Sequence, residues 1–257
     1  MSTKHSKAAE TFLKNRSLAA WHDETLWMVR AKRDKMSKAV PEWEHLRDMA
    51  CAIKMYSNSH LDQLLVEFEK NAKANGAHVY WAKDAEEYCS IVARILEEHQ
   101  VKHFIKSKSM LAEECGLNEY LEQKGVEVVE SDLGERILQL MHKKPSHIVL
   151  PAIHVKKEEI GELFVKEMGI AMTGVNFAVA SSGAFVVCTN EGNADMGTSQ
   201  PKLQITAFGM EKIVPDRDAL GVFTRLLARS GTGQPITTYT SHYRKPRAGG
   251  ELHIIIV

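Results

Sequence analysis

No stretch of this sequence approaches the roughly 18–20 consecutive apolar residues of a bilayer-spanning helix. The opening MSTKHSKAAETF lacks the apolar core of a signal peptide. Excess charge of one sign is also missing. With 33 basic residues against 33 acidic ones, no bulk field draws the chain to nucleic acid or anionic lipid. Cysteine is scarce: Cys51, Cys89, Cys115 and Cys188 are scattered, without a Cys-x-x-Cys pair. That pattern fits reduced cytosolic thiols and argues against a zinc or iron–sulfur site built within this chain. Gly-x-x-x-x-Gly-Lys-Ser/Thr is absent, and no Gly-x-Gly-x-x-Gly follows a strand, so phosphate-loop hydrolysis and Rossmann dinucleotide binding lose support. Gly-x-Ser-x-Gly and His-Glu-x-x-His are absent too, which weakens serine-hydrolase and zinc-protease readings. These absences leave a soluble cytoplasmic protein as the expectation, with no nucleic-acid partner and no membrane span.

What is present is a change of rhythm along a 257-residue chain, long enough for one large α/β domain or two small ones. The first part reads as helical. Residues 7–35 mix Phe12, Leu13, Leu18, Trp21, Leu26, Met28 and Val29 with charges, and Pro41 opens a second helix through Trp43, Leu46, Met49 and Ile53. Ser59 is expected to cap a third helix over 60–74, with Leu61, Leu64, Leu65 and Phe68 at helical spacing and Asn75-Gly76 as its stop. Strands are then expected at 77–81, 101–106, 126–129 and 147–150. They alternate with helices from an Asp84 cap to Leu96, over 110–124 with a break at Gly116, over 134–142 and over 156–168. Such βα alternation implies a largely parallel sheet covered on both faces. A helix at 216–230, a polar loop and a buried-type strand at 252–257 close the chain. That last run stops without a polar exit, as expected of a cut chain or of a C-terminus tucked into a sheet. The resulting division is a helical segment, 1–75, and an α/β domain, 76–257.

Functional residues concentrate in 172–214. Two β-branched runs, 177–180 and 184–189, flank Ser181-Ser182-Gly183, which reads as a hairpin or a sharp strand bend; a third strand follows at 203–208. The second run empties into Thr189-Asn190-Glu191-Gly192-Asn193-Ala194-Asp195, where Asn190, Glu191 and Asn193 exceed what a turn needs. Ser182-Gly183 is either a plain turn or a pair of backbone N–H groups offered to an anion. Lys202 is either a solvated lysine or a partner for a substrate carboxylate. Two further clusters fall at expected strand ends, where α/β sheets gather ligands. Glu130-Ser131-Asp132 with Glu135 reads as a capping box, or else Glu130 or Asp132 faces the cleft as a base or hydroxyl acceptor. His147 reads as structural, whereas His154, just past a strand, is a capping or solvated imidazole or a proton shuttle. Arg30 and Arg33 at helical spacing form a solvated face or clamp an acidic partner.

Several of these segments together resemble a known family. SDLGE at 131–135, KPSHIVLPAIH at 144–154, TGVNFAVA at 173–180, TNEGN at 189–193 and GMEKIVP at 209–215 are similar to the LUD domain of LutB-type lactate utilisation proteins. The resemblance covers most of the chain. It implies a three-layer α/β/α sandwich similar to the NagB/RpiA/CoA-transferase-like fold, preceded by N-terminal helices, and a part in oxidising L-lactate to pyruvate with two companion subunits. On that reading Glu191 or His154 is the candidate to orient or deprotonate the substrate hydroxyl, an assignment made from the residues themselves, since the resemblance supplies the pathway and not the mechanism. Asn190, Asn193, Ser182, Gly183, Thr173, Lys202, Glu130 and Asp132 become candidates to bind a small carboxylate. It further implies that 4Fe–4S clusters belong to a C-terminal ferredoxin-like domain that continues beyond this chain, with no cofactor in the chain itself.

Two departures from the family pattern carry consequences. Ser181 stands where many relatives carry an acidic residue in an Ala-Glu-Thr-Gly-like segment, and a serine cannot form the acyl-carboxylate intermediate of CoA transferases. Only residues 169–172 bridge a segment where relatives carry a longer basic helix, so a lid is expected to be missing. Two readings stand beside lactate oxidation. One is a free-standing acyl-transfer or sugar-phosphate enzyme served by Glu191 and Lys202. The other is a scaffold docking partners through Trp21, Trp27 and Trp43.

Overall fold

The structure is a computed structural model that describes residues 10, 13–107, 109–130, 170–190, 192, 194, 195, 198 and 201–257. The elements expected at 134–142, 147–150 and 156–168 lie outside the described residues. Helices α1 (Arg16–Lys38), α2 (Trp43–Ser59) and α3 (Leu61–Ala74) come first. They are followed by β1 (His78–Trp81), α4 (Ala85–Glu98), β2 (His103–Lys106), α5 (Met110–Glu114), α6 (Leu117–Gln123) and β3 (Glu127–Glu130). After the undescribed stretch come β4 (Ile170–Gly174), β5 (Phe177–Val179), β6 (Ala184–Thr189), β7 (Leu203–Phe208), β8 (Ile213–Val214), α7 (Arg217–Thr232), β9 (Tyr239–Tyr243) and β10 (Glu251–Ile256).

Contacts divide the chain into two compact units: residues 1–51 with 221–237, and residues 52–220 with 238–257. In the first, Arg225 pairs with Glu42, and this hydrogen bond, reinforced by the guanidinium charge, lowers the Glu42 pKa. Arg229 Nη1 donates to the Met36 carbonyl at 3.3 Å. On α1, Trp21, Leu26, Trp27 and Met28 are exposed.

The second unit holds both sheets. Its larger sheet has the order β1-β10-β7-β4-β2-β3, and every pairing is parallel. All of β7 is buried, as the middle of a parallel sheet covered on both faces requires. Against one face pack Tyr88, Val92, Ile95 and Leu96 of α4 with Leu117 and Leu121 of α6, meeting Met172, Ile205 and Ile255. Against the other pack Leu64, Leu65 and Phe68 of α3 and Phe185 of a second sheet, meeting Phe208, Ile254 and Ile256. That second sheet runs β8-β5-β6-β9 and is antiparallel except for the β5–β8 pair.

The α/β class and the parallel sheet agree with the alternation read from the sequence. Asp84 caps α4 as expected, accepting from the Glu87 N–H at 2.9 Å, and Gly116 at φ +68° separates α5 from α6. Ser59 does not cap α3. Helix α2 runs on to Ser59, whose hydroxyl turns back onto the Met55 carbonyl, and His60 takes the cap position with its Nδ1 3.0 Å from the Tyr56 carbonyl instead of capping α3. β4 and β9 are absent from the sequence reading. The first carries Ala171 and Gly174, and the second, Tyr239-Thr240-Ser241-His242-Tyr243, is polar enough to pass for a loop.

Candidate functional site

The sheet connectivity creates a ligand position before any side chain is considered. From β2 the chain steps outward to edge strand β3, whereas from β4 it steps the other way, to β7 and β10. Where connections diverge, the loops leaving the C-terminal strand ends part and leave a crevice. A cavity of about 640 Å³ lies there, within the usual range of roughly 300–1,000 Å³ for small-molecule sites. Ser107 and Ser109 line it after β2, Gly174 and Asn176 after β4, Lys212 after β7, and Thr189 at the end of β6.

Each polar group is held by its local backbone. Ser107, buried, donates its N–H to the Met172 carbonyl at 2.9 Å, which prolongs the β2–β4 ladder into the loop. Ser109, also buried, caps α5 by accepting from the Ala112 N–H at 3.4 Å. Asn176 Oδ1 accepts the Cys188 N–H at 2.8 Å, tying the start of the hairpin to its far strand and leaving Nδ2 as the donor end of the amide. Lys212 Nζ stands 3.3 Å from Glu211 Oε1. The turn carrying both is pinned by Lys54, whose ammonium donates to the Glu211 and Ile213 carbonyls. Burial lowers the Lys54 pKa despite the opposing Glu211 charge.

A polar brace stands at the end of β6. Tyr243 and Ser241 of β9 donate to Asp195 Oδ1, the tyrosine at 2.8 Å, and Thr198 Oγ1 lies 2.7 Å from the same phenol. Burial, with the Asp195 carboxylate adding to it, pushes Tyr243 up to about 12, so it is a neutral donor throughout the ordinary pH range. The Ser107, Ser109 and Thr189 hydroxyls, the Asn176 amide and the Lys212 ammonium share the cavity wall with the Glu114 and Glu211 carboxylates, and the first five groups suit recognition of a small anion bearing a hydroxyl group.

The sequence candidates fall in several places. Asn190 follows β6, and its Oδ1 accepts from the Thr238 N–H at 3.2 Å, so it fastens the loop beside the brace. Ser182 and Gly183 form the turn of the hairpin against α3, not the cavity wall. Asn75 Nδ2 donates to the Ser182 carbonyl at 2.9 Å, and a Cβ on Gly183 (φ +63°) would stand 2.3 Å from the Ala72 nitrogen. Thr173 is buried in β4, where the Thr206 hydroxyl donates to its carbonyl at 2.9 Å. Lys202 precedes β7, at the opposite end of the sheet from the cavity, and its carbonyl accepts the Glu251 N–H at 2.7 Å. The Glu130 backbone ends β3. Glu191, Asn193, Asp132 and His154 lie outside the described residues.

Sequence reasoning passed over Ser107, Ser109, Asn176 and Lys212 as individual site residues. A usable signal existed for the first two, because they directly follow an expected strand end. Asn176 and Lys212 sit inside the family-like segments TGVNFAVA and GMEKIVP, where their neighbours drew the attention.

Residues 65–257 match the family described as LUD domain. Lactate utilization protein B of Macrococcus caseolyticus is 39% identical over 262 residues, covering 89% of this chain and 55% of that protein. The protein of the same name from Geobacillus thermodenitrificans is 41% identical over 248 residues, covering 84% of this chain and 52% of that protein. The chain thus spans about half the length of the curated relatives it matches. A crystal structure of a DUF162 family protein from Deinococcus radiodurans aligns with a TM-score of 0.48 at 14% identity, covering 77% of this chain and 98% of that one.

Proposed function

The chain belongs to the LUD-domain family, and on that premise we propose that it serves lactate utilisation. In this reading it is the LUD portion of an iron–sulfur protein subunit that takes part in oxidising L-lactate to pyruvate. The observation that carries the proposal is the cavity at the diverging strand ends, with its amide, hydroxyl and ammonium lining. The relatives named Lactate utilization protein B support it at 39% and 41% identity.

L-lactate becomes pyruvate by losing two protons and two electrons. The residues of this chain bind and orient. Lys212 neutralises the carboxylate, Asn176 Nδ2 donates to it, and the Ser107 and Ser109 hydroxyls exchange hydrogen bonds with the 2-hydroxyl. Glu191 or His154 takes the hydroxyl proton, a role assigned from sequence position, and the C2 proton and both electrons pass to acceptors of the cluster-bearing system outside this chain. Cys51, Cys89, Cys115 and Cys188 are scattered along the chain without the close spacing of cluster ligands, and Cys89 and Cys115 are held as thiols. Burial pushes the Cys89 thiol up to about 11 and also raises Cys115, whereas cluster ligands are thiolates. Among the described residues, no cysteine joins a group of three potential ligands. We therefore place 4Fe–4S clusters in sequence outside this chain, on the companion part of a longer protein or its partner subunits, and route no electron through these thiols.

Calorimetric titration with L-lactate tests the reading. A weak complex is expected, near the millimolar dissociation constant that corresponds to about −4 kcal/mol. Lys212→Ala removes a charge-assisted contact worth roughly 1.5–3 kcal/mol and weakens binding by about tenfold or more. Absence of binding to the unaltered chain, or equal affinity in the variant, overturns the proposal.

A further inference from the structure

The end of the parallel sheet opposite the cavity gathers a second set of polar side chains. β1 and β10 pair with His78 beside His253 and Tyr80 beside Ile255. Alternate residues share a face, so His78, Tyr80, Glu251 and His253 project to the same side. His253 is only 3% exposed. Its ring stacks on His78 at 4.9 Å and lies nearly coplanar in orientation with Tyr80 at 5.8 Å. His253 Nε2 is 3.1 Å from Glu251 Oε2, and Nδ1 is 3.1 Å from the Tyr80 hydroxyl. His99, at the C-terminal cap of α4, brings its Nε2 to 3.5 Å from the same carboxylate oxygen. One ligand-capable atom from each of His78, Glu251 and His253 lies within 4.8 Å of the others.

We propose that this cluster binds a divalent first-row transition metal of the zinc type through His78, Glu251 and His253, with His99 at the fourth position. Two or three imidazoles and one carboxylate are a donor set for zinc and its neighbours, whereas calcium and magnesium call for oxygen-only shells. The tautomer follows from the geometry. A metal on His253 Nε2 requires the proton on Nδ1, and Nδ1–H then donates to the Tyr80 oxygen, the kind of outer hydrogen bond that fixes a metal-bound imidazole.

The distances are close to what coordination needs. Ligands on a tetrahedral zinc with bonds of about 2.0–2.1 Å stand roughly 3.3 Å apart. The Nε2 to Oε2 separation of 3.1 Å already meets that spacing. The remaining closure falls to the exposed side chains of His78, which must tilt off the His253 ring, and His99, which must move in, while buried His253 stays fixed. A bound ion would join edge strand β1, central strand β10 and the end of α4, segments from distant parts of the chain. The site is separate from the cavity, because β10 places six residues, about 17–20 Å, between the two ends of the sheet.

The test is calorimetric titration of the full chain with zinc chloride, after treatment with a chelator and a thiol reductant. One zinc per chain is expected, with a micromolar or tighter dissociation constant and a rise in melting temperature. His78→Ala, at an exposed position that leaves the fold intact by circular dichroism, weakens binding by at least about tenfold and abolishes the melting shift. Tyr80→Phe produces a smaller loss. Cobalt chloride gives a tetrahedral spectrum without thiolate charge transfer, separating this site from Cys51. Zinc binding that is absent, or equally tight in His78→Ala and Glu251→Gln, overturns the proposal, as does magnesium binding of equal strength.

Discussion

At the C-terminal ends of β2, β4 and β7 the large sheet gives way to loops of small, hydroxylic and amide residues, and a cavity of about 640 Å³ opens between them. At the N-terminal ends of β1 and β10 the same sheet instead draws imidazoles, a carboxylate and a phenol into contact. The first end is shaped by the backbone: diverging connections make the space, and each lining residue lies within a few positions of its own strand. The second is shaped by register, because only the parallel pairing of β1 with β10 brings His78 to His253. One sheet therefore produces two kinds of site by two routes, and substitutions that act on one route should leave the other alone.

The largest expected effect breaks the comparison by damaging what the two ends share. Phe208 lies in the core, edge-on to Phe68 with centroids 5.2 Å apart, and also lines the cavity. Phe208→Ala is expected to cost about 3–5 kcal/mol in denaturant unfolding and to weaken ligand binding at both ends. A smaller and more local effect follows from Asn176→Ala, which deletes the 2.8 Å bond to the Cys188 N–H. Here the expected loss is about 1–3 kcal/mol, with L-lactate affinity falling and zinc affinity unchanged. If zinc affinity fell as well, the two ends would not be independent.

The pH dependence of stability sharpens the contrast further. Burial lowers the His253 pKa in the folded protein below its ordinary 6.5, with His78 and His99 adding to the effect and Glu251 opposing it. As pH falls from about 6.5 through the folded value, the unfolded chain takes up the proton first, and stability declines across that window. His242 is lowered too, chiefly by burial with Arg217 adding, so it contributes in the same direction. Removing His253 by His253→Gln is expected to shrink the decline without abolishing it; an unchanged acid limb would remove His253 from the account. The smallest effect belongs to the exposed Arg47–Glu44 pair on α2, where Arg47→Ala should change stability by no more than about 0.5 kcal/mol.

How much was legible in the sequence follows the same division. The hairpin 177–189, the Asp84 cap, the break at Gly116 and the βα alternation over 77–130 all rest on neighbouring residues, and the structure reproduces them. β4 and β9 escaped because their stability comes from pairing with β7 and β6, not from the propensity of Ala171, Gly174 or Ser241. Ser182-Gly183 read either as a plain turn or as backbone N–H groups offered to an anion, and the structure uses the glycine for the turn and the close approach of α3. Lys202 read either as a solvated lysine or as a partner for a substrate carboxylate, and it stands at the end of β7 away from the cavity, a matter of strand direction that residue type does not encode. The histidine cluster was illegible for a different reason: only Glu251 and His253 are close in sequence, and His78 and His99 come to them from the distant elements β1 and α4.

The most direct test of the central assignment, a small-carboxylate site at the diverging strand ends, is an L-lactate titration followed by backbone amide chemical shifts. The expected result is movement of Ser107, Gly174, Asn176 and Lys212, with His78, His99 and His253 unmoved. Shifts confined to the histidine cluster, or no saturable shifts at the cavity, would contradict it.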